Sequence, residues 1–277
     1  MKFTATLAIG AVLASMVAIT PAYAASSPLS QIKEKGVINV GVKTDYKPFG
    51  FYATDGSIQG FGPDLAKNVA EQLGVKLNLV PVQTANRIAY LQQGRIDLMI
   101  ATMLVSPERL KVVTAIEPYY YGAGGNVIMP KAEAAKIKSW GDMKGKTVCG
   151  VQGALFNKPF QQKFGINVKA FAGTTEAESA LQHGSCVGYL EDEILLALLL
   201  KDDPSGQWSN YTMPLQVEEI HPWAIAIQKS YAGSDYNQFL SKVVTNWITS
   251  DFLDKENTKW GLPANEYLEQ QRAKLKK

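Results

Sequence analysis

Two arginines in this 277-residue chain share an unusual setting. Thr84-Ala85-Asn86-Arg87 and Ser106-Pro107-Glu108-Arg109 each place a guanidinium three residues after a hydroxyl side chain of the type that caps helices. With Thr84 and Ser106 as N-caps, Arg87 and Arg109 fall in the first turns of two helices, where the helix dipole opposes a cation. One arginine so placed is expected to swing into solvent or pair with an acid such as Glu108. Two at the same offset read better as an anion site, in which helix amides and planar guanidinium forks receive a carboxylate. Lys43, Asp45 and Tyr46 close a strand-like run at 37–42, and Thr102 closes another at 96–101, so they reach the same edge. Asp192 and Gly153 follow the runs 186–190 and 147–151. A carboxylate at Asp192 could hold an ammonium group, although Glu191-Asp192-Glu193 taken alone reads as a solvated acidic patch. Cations from one side and an anion from the other complement a zwitterion.

The elements that must position these groups alternate in type. Runs at 37–42, 75–82 and 96–101 are strand-like, and stretches at 63–73, 85–93 and 107–113 are helical, the rhythm of a parallel sheet covered on both faces. In the first of these helices Pro63 sits just inside the start, Leu65, Val69 and Leu73 share a face, and Gly74 ends it. Asp55-Gly56 marks a turn between two aromatic-rich segments. At Tyr119-Tyr120-Tyr121-Gly122-Ala123-Gly124-Gly125 the rhythm breaks, and we read a crossover into a second strand–helix series, with a return near His221-Pro222. Residues 25–121 with 221–277 are expected to form one lobe and 122–220 the other. Two crossings make a hinge and a cleft. Ligands of open α/β sheets gather beyond the carboxyl ends of the strands, where the residues above fall.

The amino terminus is read as an export signal. Lys2 precedes an apolar run, 7–19, that ends before Ala22-Tyr23-Ala24, a small-x-small cleavage site. The run is shorter than the roughly 20 residues that span a bilayer. Cleavage after Ala24 leaves about 250 residues, enough for two lobes, with no cysteine nearby to accept a lipid. The formal charge of +3 becomes +2 on losing Lys2, which gives no electrostatic case for nucleic acid or an anionic membrane. Cys149 and Cys186 fall in runs assigned to one sheet, and an oxidising compartment permits them to bond; two buried thiols are the alternative. His183 and His221 are the sole histidines, Gly-x-Ser-x-Gly is absent, and Gly141–Lys146 is one residue short of a phosphate-loop spacing. No metal or other cofactor is called for.

Across essentially the whole mature chain the sequence resembles the family 3 solute-binding proteins of amino-acid uptake systems. The resemblance is carried by Val40-Gly41-Val42-Lys43-Thr44-Asp45-Tyr46-Lys47-Pro48-Phe49, Gly60-Phe61-Gly62-Pro63-Asp64-Leu65-Ala66, Gly94-Arg95-Ile96-Asp97-Leu98, Ser106-Pro107-Glu108-Arg109, Met143-Lys144-Gly145-Lys146 and 184–193. It implies a type II periplasmic binding fold, monomeric, without enzymatic activity, that delivers its ligand to an inner-membrane ABC permease from the periplasm. By the same resemblance Arg109 matches the arginine that holds the ligand α-carboxylate, and Asp192 the aspartate that holds the α-ammonium. Lys43 and Arg87 are similar to the side-chain clamp of the aspartate/glutamate-binding branch, which implies an acidic amino acid, with Thr84 beside them. The sequence departs from the family at Leu104, Ala154 and Leu155, where hydroxyls are usual, so the pocket is expected to be more apolar than the norm. The same fold also resembles cyclohexadienyl dehydratases, whose glutamate acid aligns with Leu195 or, two residues away, Glu193.

Overall fold

The computed structural model describes residues 27–276. The expected export signal, residues 1–24, lies outside them. The main strands are β1 (Val37–Lys43), β5 (Lys76–Val82), β6 (Leu98–Leu104), β8 (Tyr121–Pro130), β9 (Thr147–Val151), β10 (Asn167–Phe171), β11 (Gly188–Asp192) and β13 (Glu218–Gln228). Shorter ones are β2 (Asp45–Tyr46), β3 (Gly50–Tyr52), β4 (Ile58–Gln59), β7 (Val113–Ala115) and β12 (Tyr211–Thr212). One mixed sheet runs β10-β9-β11-β8-β13-β6-β1-β5, while β2, β3 and β4 form a separate meander whose turn uses Gly56 at φ +81°.

Two parallel trios make up the ends of that sheet: β6-β1-β5, and β11-β9-β10. Between them β8 and β13 pair antiparallel with each other and with their outer neighbours. These two strands carry the chain out of one half and back, and residues 122 and 221 lie within them. The glycine-rich stretch expected as an irregular crossover is therefore the first half of β8. Glycine is needed there because helices pack directly on the backbone: a Cβ at Gly122 would lie 2.6 Å from Tyr267 Cβ. Asn265 donates to Gly122 O at 2.8 Å and completes that contact.

The expected helices are present with shifted ends. Helix Phe61–Leu73 begins two residues earlier than Pro63, buries Leu65, Val69 and Leu73, and stops at Gly74, which takes φ +71°. Residues 107–113 hold only one turn of helix, Pro107–Leu110, because Val113–Ala115 joins β13 as a strand. The strand faces alternate as pleating requires: on β6, Leu98 and Ile100 enter the main core, and Met99, Ala101 and Met103 enter a smaller one with Ala224 and Ala226 of β13. Where the sheet changes halves, aromatic rings fill the core, with Trp223 at 4.8 Å from Phe49 and stacked on Tyr121 at 5.0 Å. Cys149 and Cys186 form a disulfide, Cα–Cα 5.6 Å, that ties β9 to the segment entering β11.

Candidate functional site

The carboxyl ends of β1 and β6 and the loop after β5 face those of β9 and β11 across a cleft. Arg109 arrives on the short helix Pro107–Leu110, whose N-cap Ser106 accepts from Arg109 N at 3.3 Å. Its guanidinium donates to Leu104 O at 2.8 Å and, from the other side of the cleft, to Gly153 O at 2.9 Å. Arg87 is 3% exposed and donates to Ala101 O, with Thr102 Oγ1 at 3.5 Å. Neither arginine pairs with Glu108 or turns to solvent. A bulge in β6 makes this possible: between Met99 and Met103 the register against β13 slips, and Thr102 takes φ +50°. The slip releases a strand carbonyl to Arg87 instead of to the ladder.

Thr84 is not the N-cap of its helix. The helix is Arg87–Gln92, capped by Asn86, and Thr84 Oγ1 instead accepts from Lys43 Nζ at 3.0 Å. The loop Gln83–Asn86 closes on itself through Asn86 Oδ1, leaving the Thr84 hydroxyl free for that contact. Lys43 is 1% exposed and ion-paired with Asp45 Oδ1 at 2.7 Å. Its ammonium is thus already matched by a carboxylate of the chain.

Asp192 at the end of β11 is 2% exposed. Its Oδ2 accepts from Tyr46 OH of the opposite half at 2.8 Å, while Oδ1 is buried without a hydrogen-bond partner among the described residues. Arg87 Nε is in the same condition. Glu191 and Asp192 are buried and Glu193 is half-buried, so the triplet is not a solvated patch. Tyr189 OH donates to Glu191, and Glu193 leaves the cleft to accept from Gly124 N on β8 at 2.5 Å. An acidic triplet set between Tyr189-Leu190 and Ile194-Leu195-Leu196 was the sequence signal for this burial. Tyr46, Thr84, Arg87, Thr102, Glu191 and Asp192 meet around a nearly filled cavity of ≈ 10 Å³ that Leu104, Ala154 and Leu155 close with apolar surface.

Burial sets the electrostatics. Desolvation, then the neighbouring Glu191, pushes the Asp192 carboxyl well above the usual carboxylate range, and desolvation also raises Glu191. Desolvation, with Arg87 close by, pulls Arg109 down to about 9, which leaves it protonated at neutral pH. Lys43, Arg87 and Arg109 stand against Asp45, Glu178, Glu191 and Asp192 around the cleft. Among the described residues no group of His, Cys, Asp and Glu is placed to hold a metal, and no helix is long and apolar enough to cross a membrane.

The profile of the bacterial extracellular solute-binding proteins, family 3, matches residues 38–276. The chain belongs to that family. This family 3 protein is 27% identical, with a TM-score of 0.77, to the cysteine-binding protein from Campylobacter jejuni, the match covering 85% of this chain and 93% of that one. It is 30% identical over 174 residues to the L-cystine-binding protein of Escherichia coli K12, covering 62% of this chain and 65% of the relative. It is 39% identical over 131 residues to membrane-bound lytic murein transglycosylase F of Aeromonas hydrophila, 46% of this chain but only 25% of that protein. Other relatives carry names for glutamine and for glutamate/aspartate. The family 3 protein thus has the two-lobe α/β fold with a mixed sheet of solved amino-acid-binding proteins, and binding proteins for amino acids are among its relatives.

Proposed function

We propose that the protein captures a single α-amino acid of no net charge between its lobes. One observation carries this reading: Arg87 of one lobe shares its pocket with an unpartnered oxygen of Asp192 on the other, and Arg109 lies within the electrostatic reach of both. Arg109, with the Arg87 guanidinium behind it, receives the α-carboxylate in place of Gly153 O. Asp192 Oδ1 receives the α-ammonium, with Tyr46 steadying the second oxygen. The ligand side chain meets Leu104, Ala154 and Leu155, which suits a larger or less polar group than that of aspartate. Captured ligand is handed to an inner-membrane ABC permease by an exported, monomeric binding protein without enzymatic activity. The dehydratase alternative lacks support at its acid: Leu195 is in the core, and Glu193 is bonded to a hinge amide outside the cleft.

Lys43 is already paired with a carboxylate of the chain, Asp45, at 2.7 Å, and that pairing favours a neutral ligand. A zwitterion leaves it unchanged, whereas glutamate adds a buried charge without a partner. An acidic ligand is the second reading, because Lys43 stands beside Arg87 at the pocket wall, and it requires Lys43 to leave Asp45. Titration calorimetry against the common amino acids tests both. We expect micromolar binding of a neutral member; absence of binding to every amino acid sinks the proposal, and a preference for glutamate or aspartate selects the second reading.

A further inference from the structure

Asp45 joins the two lobes. Its Oδ1 pairs with Lys43 Nζ at 2.7 Å within one lobe, and its Oδ2 accepts from Thr174 N at 3.0 Å in the other. Thr174 opens the nine-residue helix Thr174–Gln182, so Asp45 satisfies one of its free amides where the dipole favours an anion. Gly173, just before it, keeps that approach open: a Cβ there would lie 2.9 Å from Asp45 Oδ2. A lysine ammonium and a helix start converging from two lobes form the receptor that an acidic side chain would need, and the chain fills it with its own carboxylate.

We propose that Asp45 sets the charge preference of the cleft: by occupying Lys43 and the Thr174 amide as the lobes close, it stands in for a ligand side-chain carboxylate and excludes acidic amino acids. This deepens the amino-acid reading above and rests on it. The surroundings work in the same direction, since Glu191 and Glu178 approach the pair and repel a further anion. Lys43 cannot answer two carboxylates at once, because it is walled in and its remaining polar contact is the Thr84 hydroxyl.

Asp45→Asn removes the charge and retains an oxygen that can accept from Thr174 N. Measured by calorimetry, its affinity for glutamate or aspartate is expected to rise at least about tenfold over wild type, while affinity for the neutral ligand changes less. In a Lys43→Met background the same replacement is expected to give no such gain. A gain below about twofold for both acidic amino acids overturns the assignment of Asp45, as does an equal gain without Lys43. Should Asp45→Asn fail to fold, Asp45→Ser, whose hydroxyl accepts from the same amide, serves in its place. Wild type supplies an independent measurement: tighter binding of glutamate than glutamine overturns the assignment outright. Failure of wild type to bind any amino acid would instead reject the function itself, a result distinct from amino-acid binding that ignores Asp45.

Discussion

Arg109 already makes in the closed cleft the kind of bonds it would make to a ligand. Two charge-assisted donations run from one guanidinium to oxygens of different lobes. Replacing the Gly153 carbonyl by a ligand carboxylate strengthens that donation, and charged hydrogen bonds contribute about 1.5 to 3 kcal/mol apiece. Arg109→Ala is therefore expected to weaken amino-acid binding by at least about a hundredfold in calorimetry, with Arg109→Lys recovering part of the loss, since it restores the charge but not the fork. Burial of carboxylates gives a second expectation. Desolvation pushes Glu178, near Glu191 and Asp45, and Glu193, beside Gly124, up to about 7. A carboxyl raised in the folded state favours folding fully below its unfolded value, near 4.3, and that contribution is lost as pH rises through 7. The melting temperature of the ligand-free protein should fall between pH 5 and pH 8, and Glu178→Gln with Glu193→Gln should flatten that slope. Exposed carboxyls held low by hydrogen bonds, such as Asp55 and Asp142, act in the opposite sense but titrate below this window. The offset read in sequence holds for Arg109, three residues after its N-cap Ser106, and fails for Arg87, whose helix starts at that residue, while Asp192 was singled out by the family resemblance rather than by its acidic neighbours. The partnership of Lys43 with Asp45 was not legible, because two residues apart on a chain implies no contact until the backbone turns between them.

At the scale of elements, the strand–helix rhythm read along the chain survives, and the departures have local causes. Residues 121–125 lack periodicity because a strand buried on both faces and crowded by Tyr267 and Phe156 needs glycine, not alternation. The β6 bulge could not be read at all: Thr102 is β-branched, and such residues avoid positive φ unless tertiary structure imposes it. The disulfide illustrates the reverse case: assigning two runs to one sheet left a bond and two buried thiols as alternatives, and the bond is what forms. It closes a segment with a sequence separation of 37 residues. Constraining a loop of that size contributes about 4 kcal/mol through the unfolded state. The variant Cys149→Ser with Cys186→Ser should thus melt about 10 °C lower, with ligand affinity nearly intact because the bond lies away from the cleft. An unchanged melting temperature would mean that β9 and β11 need no such tie.

For the whole molecule, three contacts define closure: Tyr46 to Asp192, Arg109 to Gly153, and Asp45 to Thr174. At Gly153 the two sides of the cleft meet backbone to backbone. This glycine has φ +77°, and a Cβ on it would lie 3.0 Å from Ala85 Cα and from Thr84 O across the cleft. Gly153→Ala should keep the lobes from meeting, lowering affinity roughly tenfold or more. X-ray scattering should show less compaction on adding ligand than in wild type; equal compaction and equal affinity would show that closure stops short of this contact.

The place of β13 in the sheet has a consequence for how the chain reaches its fold. β6 ends at Leu104, yet its neighbour on one side is Trp223 to Ala226, well over a hundred residues later. β8 waits for the same strand. Until that strand is available, both earlier strands carry an unpaired edge at what becomes the middle of the molecule, an arrangement that slows folding and invites pairing with other chains. A chain halted before residue 218 holds nearly all the residues of the cleft and has no finished sheet on which to display them.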